Sequence, residues 1–230
     1  MDANLQLALT SALVPQNRSY LEVVRKKLDD DGHLLKPLRP QELARIKFVQ
    51  WPDPDGTLVL DLAPGYDLGM DDHFDIASLS GIEACTKLET CIFNALAPNV
   101  DLAPLGALSK LQELVAVSRI DENAVTTLAP LATLTRLNRL QVEGPIKDLS
   151  PLAKLTKLER LGLVGIHATD LSVLRTLPKL TRVEVSTRAG KHSAHVQTIA
   201  NELASRGVDV FGWKVGKAEI TARKTKKRQR

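Results

Sequence analysis

A repeating pattern of leucines runs through the chain from about residue 75 to residue 186. Leucine or an equivalent recurs every three residues, and each run then changes to the pattern L-x-x-L-x-L. The leucines that open this change are Leu88, Leu111, Leu137, Leu158 and Leu180, which are 23, 26, 21 and 22 residues apart. A unit of this length cannot bury its leucines alone, so five such units are expected to stack into a solenoid.

Each unit divides into a capped turn, a return segment and a strand. The unit begins with an N-cap-type residue whose side-chain oxygen can accept from free backbone N–H groups. These residues are Asp75, Asp101, Thr127, Asp148 and Asp170. From Leu149 to Leu158, leucine at every third position favours a 3₁₀-like or short helical return segment. Leu161 and Leu163 then alternate with other residues, which predicts a strand with leucine inside.

The run DLSPLAKLTKLERLGL resembles the short leucine-rich repeats, of roughly 22 residues, found in bacterial internalins and in regulators of protein phosphatases. The similarity covers about half of the chain, and it implies protein binding on a concave sheet without catalysis. These families usually place an asparagine three residues after the second leucine of the strand, where its amide satisfies backbone groups. The chain has Leu96, Arg119, Pro145 and Ile166 there. We therefore expect its turns to be held in another way.

We predict an α/β solenoid, namely a right-handed, curved leucine-rich repeat stack with a parallel concave sheet and a cap at each end. The solenoid is expected to span residues 57–186, with five regular repeats from about residue 75. The alternating segment 57–63 is interpreted as a degenerate first strand. The N-terminal helical cap is expected to cover residues 1–56, because amphipathic helices at 2–13 and 20–28, and a short one in QELARI, need a surface to pack on. A separate functional module there is the alternative.

The period stops after Ser186. Residues 187–216 are predicted to form a C-terminal cap, with a helix in 193–207, a strand in 208–215, and Phe211 and Trp213 over the last repeat. Residues 217–230 are expected to be a basic, disordered tail.

The charge of +4 is unevenly distributed along the chain. From residue 190 to 230 there are ten basic and three acidic residues, whereas residues 48–86 contain eight acidic residues and no lysine or arginine. The acidic segment 64–75 lacks the spacing of a calcium loop and is interpreted as solvated. Cys85 and Cys91 fall on the apolar period and are expected to be buried free thiols. With no export signal and no apolar run of about 18 residues, we expect a cytoplasmic protein.

No catalytic constellation is present. The chain lacks a glycine-rich phosphate loop, a G-x-S-x-G motif, an HExxH motif and a paired cysteine knuckle. Its five histidines lack ligand spacing, and His192 and His195 are interpreted as exposed residues near a helix start. We expect neither enzymatic activity, nor a cofactor, nor a metal site.

Strand alternation predicts which side chains line the concave face. With Leu114, Leu140, Leu161 and Val183 inward, their neighbours form three columns across the sheet. One column contains three stacked arginines, and the others contain an apolar patch that was expected to be exposed. Arginine beside apolar surface is favoured at protein interfaces. The predicted contact residues are Ile92, Glu113, Val115, Val117, Arg139, Gln141, Glu143, Arg160, Val164, Arg182 and Glu184.

The leading hypothesis is a monomeric binding module that docks a partner protein on the concave sheet and regulates or inhibits an enzyme or a toxin, as an immunity-type inhibitor does. The alternative is a nucleic-acid-associated protein that uses the basic tail and the arginine column. Aromatic residues make up only 3% of the chain, so base stacking would have few platforms. A purely structural role also stays open, and no membrane partner is expected.

Overall fold

Eight strands form one sheet in the computed structural model, which describes residues 1–13, 36–51, 75–118, 124–187, 194–215 and 218–219. Strand order follows chain order, and the first seven strands are parallel. They are β1 Phe48–Trp51, β2 Thr90–Phe93, β3 Glu113–Ala116, β4 Arg139–Glu143, β5 Arg160–Ile166, β6 Arg182–Thr187 and β7 Asp209–Val215. The short β8, Ala218–Glu219, pairs with β7 in the antiparallel direction. The predicted row of parallel strands is therefore confirmed.

A short 3₁₀ helix precedes each strand from β2 to β6. The five are Ile82–Ala84, Ala103–Ala107, Ala129–Thr133, Ser150–Lys154 and Ser172–Thr176. The three-residue period of leucines fits this geometry, because residues three apart lie on one edge of a 3₁₀ helix. Leu152, Leu155 and Leu158 are fully buried, and the equivalent leucines of the neighbouring units are also buried. The leucine edges thus form one continuous core between the 3₁₀ segments and the sheet.

The capping residues of four units accept hydrogen bonds as predicted. Asp101, Asp148 and Asp170 each accept from the backbone N–H two residues later, at 2.8 Å. Thr127 Oγ1 does the same at 3.2 Å. For Asp148, the backbone N–H of Ser150 and then its hydroxyl lower the pKa of the carboxyl group, so the ionised cap contributes at neutral pH and is lost as the pH falls through that lowered pKa.

Hydrogen bonds of the Asp2 carboxylate and of the Asn4 side-chain amide join the N-terminal helix to the first unit. Helix α1, Ala3–Ser11, begins where Asp2 Oδ1 accepts from the N–H of Leu5 at 3.0 Å. Asp2 Oδ2 accepts from the N–H of Ala77 at 3.2 Å, and the side-chain amide of Asn4 donates to the carbonyl of Asp75 at 3.0 Å. The apolar face of α1 is buried against the open end of the stack, which agrees with a helical cap.

The first strand of the sheet is Phe48–Trp51, which was not predicted from the sequence. It follows a short helix α2, Pro40–Leu43, which lies in the predicted QELARI segment. Val49 and Trp51 point into the core and are fully buried, whereas Phe48 is exposed. The predicted strand at 57–63, the predicted helix at 20–28, the acidic segment up to residue 74 and the tail from residue 220 lie outside the described residues.

Backbone groups, rather than asparagine side chains, connect the turns after the strands. Leu96 and Ile166 occupy two of the positions where asparagine was absent, and both are fully buried. The N–H of Leu96 donates to the carbonyl of Val117 at 3.1 Å, and that of Gly144 donates to Val164 at 3.0 Å. Hydrogen bonds between the backbones of neighbouring repeats satisfy the polar groups of these turns. The buried apolar side chains pack the turns against the core.

The C-terminal cap contains the predicted helix and strand. Helix α3, Ala194–Ser205, buries Val196, Ile199, Ala200 and Leu203. It ends near Gly207, whose φ of +88° suits glycine. Arg206 donates to the carbonyls of Arg175 and Leu177 at 2.9 Å and so joins this cap to the last 3₁₀ segment. His195 is exposed on this helix, and His192 lies outside the described residues.

Both cysteines are free and fully buried, as predicted. Burial, together with the negative charge of Glu83, raises the pKa of Cys85 to about 12. Burial, and secondarily the neighbouring Cys85, raises the pKa of Cys91 well above its ordinary value. The fold therefore holds both groups as neutral thiols.

We expect neither thiol of the native chain to react with Ellman's reagent at pH 8, and both to react once guanidinium chloride unfolds it. Since the folded state binds the thiol protons more tightly, this contribution to stability is complete below the unfolded thiol pKa of about 8.5. It is lost as the pH rises from there through the raised values. Rapid reaction of either native thiol would contradict this assignment.

Candidate functional site

Pairing between strands places the predicted columns in register on the concave face. The first column contains Thr90, Glu113, Arg139, Arg160 and Arg182, and the second contains Ile92, Val115, Gln141, Gly162 and Glu184. The structure extends both columns at each end, with Phe48 and Asp209 in the first and with Gln50 and Phe211 in the second. In the third column, Glu143 pairs with Val164. The sequence therefore predicted which residues are neighbours, and their role in binding stays a prediction.

The expected apolar patch is smaller than predicted. Val115 is only 5% exposed, so its description as an exposed residue is wrong. In its column Val115 lies between Ile92 and Gln141, whose side chains are longer. Ile92, Val117 and Val164 are half-buried. The middle of the face thus offers mainly polar groups.

Large exposed apolar side chains lie instead at the two ends of the described face. Phe48 is 49% exposed on β1, and Phe211 is 53% exposed on β7. Phe211 was predicted to cover the last repeat, and that prediction is wrong. Strand β7 continues the sheet in register with Glu184, so Phe211 points to the concave side, while Val208 is buried. Phe48 lies at the opposite end of the sheet from Phe211. Its alternation with the apolar Val49 could have indicated in the sequence that Phe48 is exposed on a strand.

The three arginines have different surroundings. Arg139 Nη1 contacts Glu113 Oε1 at 2.6 Å. Arg182 Nε lies 3.8 Å from Asp209 Oδ2, and its guanidinium lies 4.8 Å from the centre of the Phe211 ring. Arg160, between them in register, has no ion pair or hydrogen bond from its side chain to any residue that the structure describes. Among the described residues, an exposed cation without a counter-charge thus lies at the centre of the column.

A recess of about 310 Å³ opens beside Arg160. Gly162 makes this space because it carries no side chain between Gln141 and Glu184 in the second column. A Cβ atom at Gly162 would lie 3.1 Å from Gln141 Cγ. The recess is lined by Arg139, Leu140, Gln141, Arg160, Leu161, Gly162, Arg182 and Glu184. This recess was not predicted from the sequence, although a glycine inside a strand is a known signal of close approach by another group.

In the described part of the chain, no group of three or more histidine, cysteine, aspartate or glutamate side chains is placed to hold a metal ion. None of the described helices has the length and apolar character needed to cross a membrane. The concave column and its recess therefore form the candidate site.

Solved internalin structures are similar to this chain. An internalin, InlF, from Listeria monocytogenes strain 4b F2365 matches with a TM-score of 0.50 and 19% identity over 91% of this chain and 55% of that one. Internalin C2 from the same strain matches with a TM-score of 0.39 and 18% identity over 93% of each chain. The functional domain of InlJ from L. monocytogenes matches with a TM-score of 0.47 and 15% identity, over 84% of this chain and 38% of that one.

The chain spans little more than half the length of the InlF chain that it matches. No protein-family model and no curated protein sequence matches it. The parallel sheet, the 3₁₀ return segments and the likeness to InlF agree with one another. Together they show that this chain has a leucine-rich repeat fold of the internalin type.

Proposed function

We propose that the chain is a non-catalytic binding module that docks a partner protein on its concave sheet. The observation that carries this proposal is the arginine column, in which Arg160, with no ion pair to any described residue, lies between Arg139 and Arg182 on adjacent strands. Like charges placed directly opposite one another destabilise a sheet. Such a column weakens the fold through repulsion between its arginines. A bound ligand of opposite charge would supply the attraction that offsets this repulsion.

The composition of the face also supports a protein partner. Arginine and aromatic residues are enriched at protein interfaces and at the few positions that dominate their affinity. Here the arginines lie in the centre, and exposed Phe48 and Phe211 lie at opposite ends of the described sheet. Within this class we propose a regulatory or inhibitory role toward an enzyme or a toxin, because a rigid surface acts on such a partner by covering it.

Nucleic acid is the second candidate, and the charges of the face disfavour it. The three arginines are accompanied by Glu113, Glu184 and Asp209 in the same two columns. Three positive and three negative charges leave no net charge, whereas phosphate backbones are bound by basic surfaces. The nucleic-acid hypothesis also relies on the basic tail, and apart from β8 this tail lies outside the described residues.

The proposal includes a place and a state for the protein. We propose a monomer in the cytoplasm, and the free thiols of Cys85 and Cys91 support this location. Disulfides are typical of oxidising compartments, whereas free buried thiols persist in reducing ones.

Photo-crosslinking from two faces of one repeat tests the docking proposal. A benzophenone amino acid is placed at Val164 on the concave face or at Ala153 on the exposed 3₁₀ segment of the same unit. In a lysate of the source cells, we expect a discrete protein adduct from position 164 and not from position 153. An adduct from position 153 alone, or adducts with nucleic acid that shift on nuclease treatment, would contradict the proposal.

A further inference from the structure

We propose that the recess above Gly162 receives an acidic side chain, aspartate or glutamate, from the partner protein, and that Arg160 binds its carboxylate. This inference rests on the proposed function and adds the chemistry of the contact. The recess lies on the concave face within the arginine column, and its volume of about 310 Å³ is small. That volume lies at the lower limit of pockets that hold whole small ligands, so the recess has room for one side chain of a docked protein.

Arg160 supplies the donors. A guanidinium has five N–H donors in a planar fork that matches the two oxygens of a carboxylate. Arg139 already contacts Glu113, and Arg182 lies close to Asp209 and to the Phe211 ring. Arg160 has no such partner among the described residues, so its donors stay available to an incoming group.

The neighbouring arginines strengthen the attraction for an anion. Adjacent strands are about 4.8 Å apart, so Arg139 and Arg182 lie one strand away from Arg160 on each side. Among the residues that line the recess, three are cationic and Glu184 alone is anionic, while Glu113 and Asp209 lie beside Arg139 and Arg182 outside the lining. A carboxylate here would relieve the repulsion between the three guanidinium groups.

Glu184 restricts what the recess accepts. It lies on the opposite side of Gly162 from Gln141, and no salt bridge joins it to an arginine in the described structure. A single carboxylate bound to Arg160 can lie apart from the carboxylate of Glu184. An extended phosphate backbone crossing the face would instead meet Glu113, Glu184 and Asp209. The chemistry therefore favours one acidic side chain of a protein over a polyanion.

Titrating the full-length, ¹⁵N-labelled chain with two end-blocked octapeptides tests this assignment by NMR. The peptides are uncharged and identical except at one central residue, which is glutamate in one and glutamine in the other. We expect the glutamate peptide to shift the Gly162 amide and the Arg160 Nε–H signals saturably, and the glutamine peptide to leave them unchanged. Signals from residues 217–230 report separately on binding to the basic tail.

Two variants and one control make the test specific. Gly162→Val places a side chain in the recess on a strand where valine is favoured, and the atoms nearest its Cβ belong to the flexible Gln141 side chain. Gly162→Val and Arg160→Gln are each expected to weaken the effect at the recess by at least about tenfold, with thermal unfolding little changed. Lys154→Glu, on the exposed 3₁₀ segment, should bind the peptide as the wild type does at the recess.

Several results would overturn the inference. These are no saturable shift at Gly162 and Arg160, an undiminished shift in Gly162→Val, or equal binding of free glutarate, which would indicate a small-molecule site. Tighter binding of a single-stranded oligonucleotide at these signals would indicate nucleic acid. If the peptide fails but crosslinks still form from position 164, this assignment falls and the docking proposal stands. If crosslinks form from position 153 alone, the docking proposal itself falls.

Discussion

Replacing Gly144 with alanine is expected to destabilise the chain by about 3 kcal/mol or more. Gly144 has a φ of +152°, which L side chains rarely adopt. A Cβ atom there would lie 1.8 Å from the carbonyl oxygen of Val125 and 2.7 Å from its carbonyl carbon. Those atoms belong to the backbone of the neighbouring repeat, so the clash cannot be relieved by rotating a side chain. The inter-repeat ladder would have to move.

Gly207→Ala is the matched control for this prediction. Gly207 also has a positive φ, +88°, but a Cβ atom there would meet nothing within 4 Å. Its substitution should cost about 1 kcal/mol, the penalty of the backbone conformation alone. Equilibrium unfolding in urea measures both differences, and at about 2–4 °C per kcal/mol the melting temperatures should differ clearly. Equal stability of the two variants would show that the turn after β4 does not pack as described.

The parallel sheet was predictable because the repeat is a local signal. Leu111, Leu137, Leu158 and Leu180 each stand two residues before a strand begins. Once the strands align at equivalent positions, the neighbours of Arg160 follow from counting alone, and the structure pairs it with Arg139 and Arg182 as expected. Equal spacing therefore predicts long-range contacts that an irregular sequence would conceal.

The ends of the stack were harder to predict, because they break the period. Phe48 pairs with Thr90, 42 residues later, whereas the strands from β2 to β6 start 21 to 26 residues apart. No D-L-x-x-L run precedes Phe48, so the repeat pattern does not predict this strand. The only local sign of it is the alternation of Val49 and Trp51 with Phe48 and Gln50. Phe211 was misplaced for a similar reason. A strand that continues the sheet directs alternate side chains outward, even when they are aromatic.

Properties that depend on several side chains together could not be predicted from the sequence either. The column predicted three arginines side by side, but not which of them would find a counter-charge. Arg139 has Glu113 directly opposite it, and Arg182 has Asp209, which lies beyond the last regular repeat. The Gly144 requirement depends on the Val125 carbonyl in another repeat. Such facts depend on the packing between repeats, which one repeat's sequence does not contain.

Reversing one charge at the centre of the concave face should separate binding from folding. We expect Arg160→Glu to lower the affinity for the crosslinked partner by at least about 30-fold, the size of effect seen at dominant interface positions. Its stability should be unchanged or higher, because glutamate would lie opposite Arg139 and Arg182 and relieve like-charge repulsion. Lys154→Glu makes the same charge change on the exposed 3₁₀ segment and should alter the affinity less than about twofold.

The dissociation constant of the purified partner for the wild-type chain, Arg160→Glu and Lys154→Glu is the most direct measure of whether the inner surface of the sheet does the binding. The account predicts a large loss for Arg160→Glu alone, with urea unfolding showing an intact fold. Equal affinity of Arg160→Glu and the wild type, or a greater loss for Lys154→Glu, would contradict it.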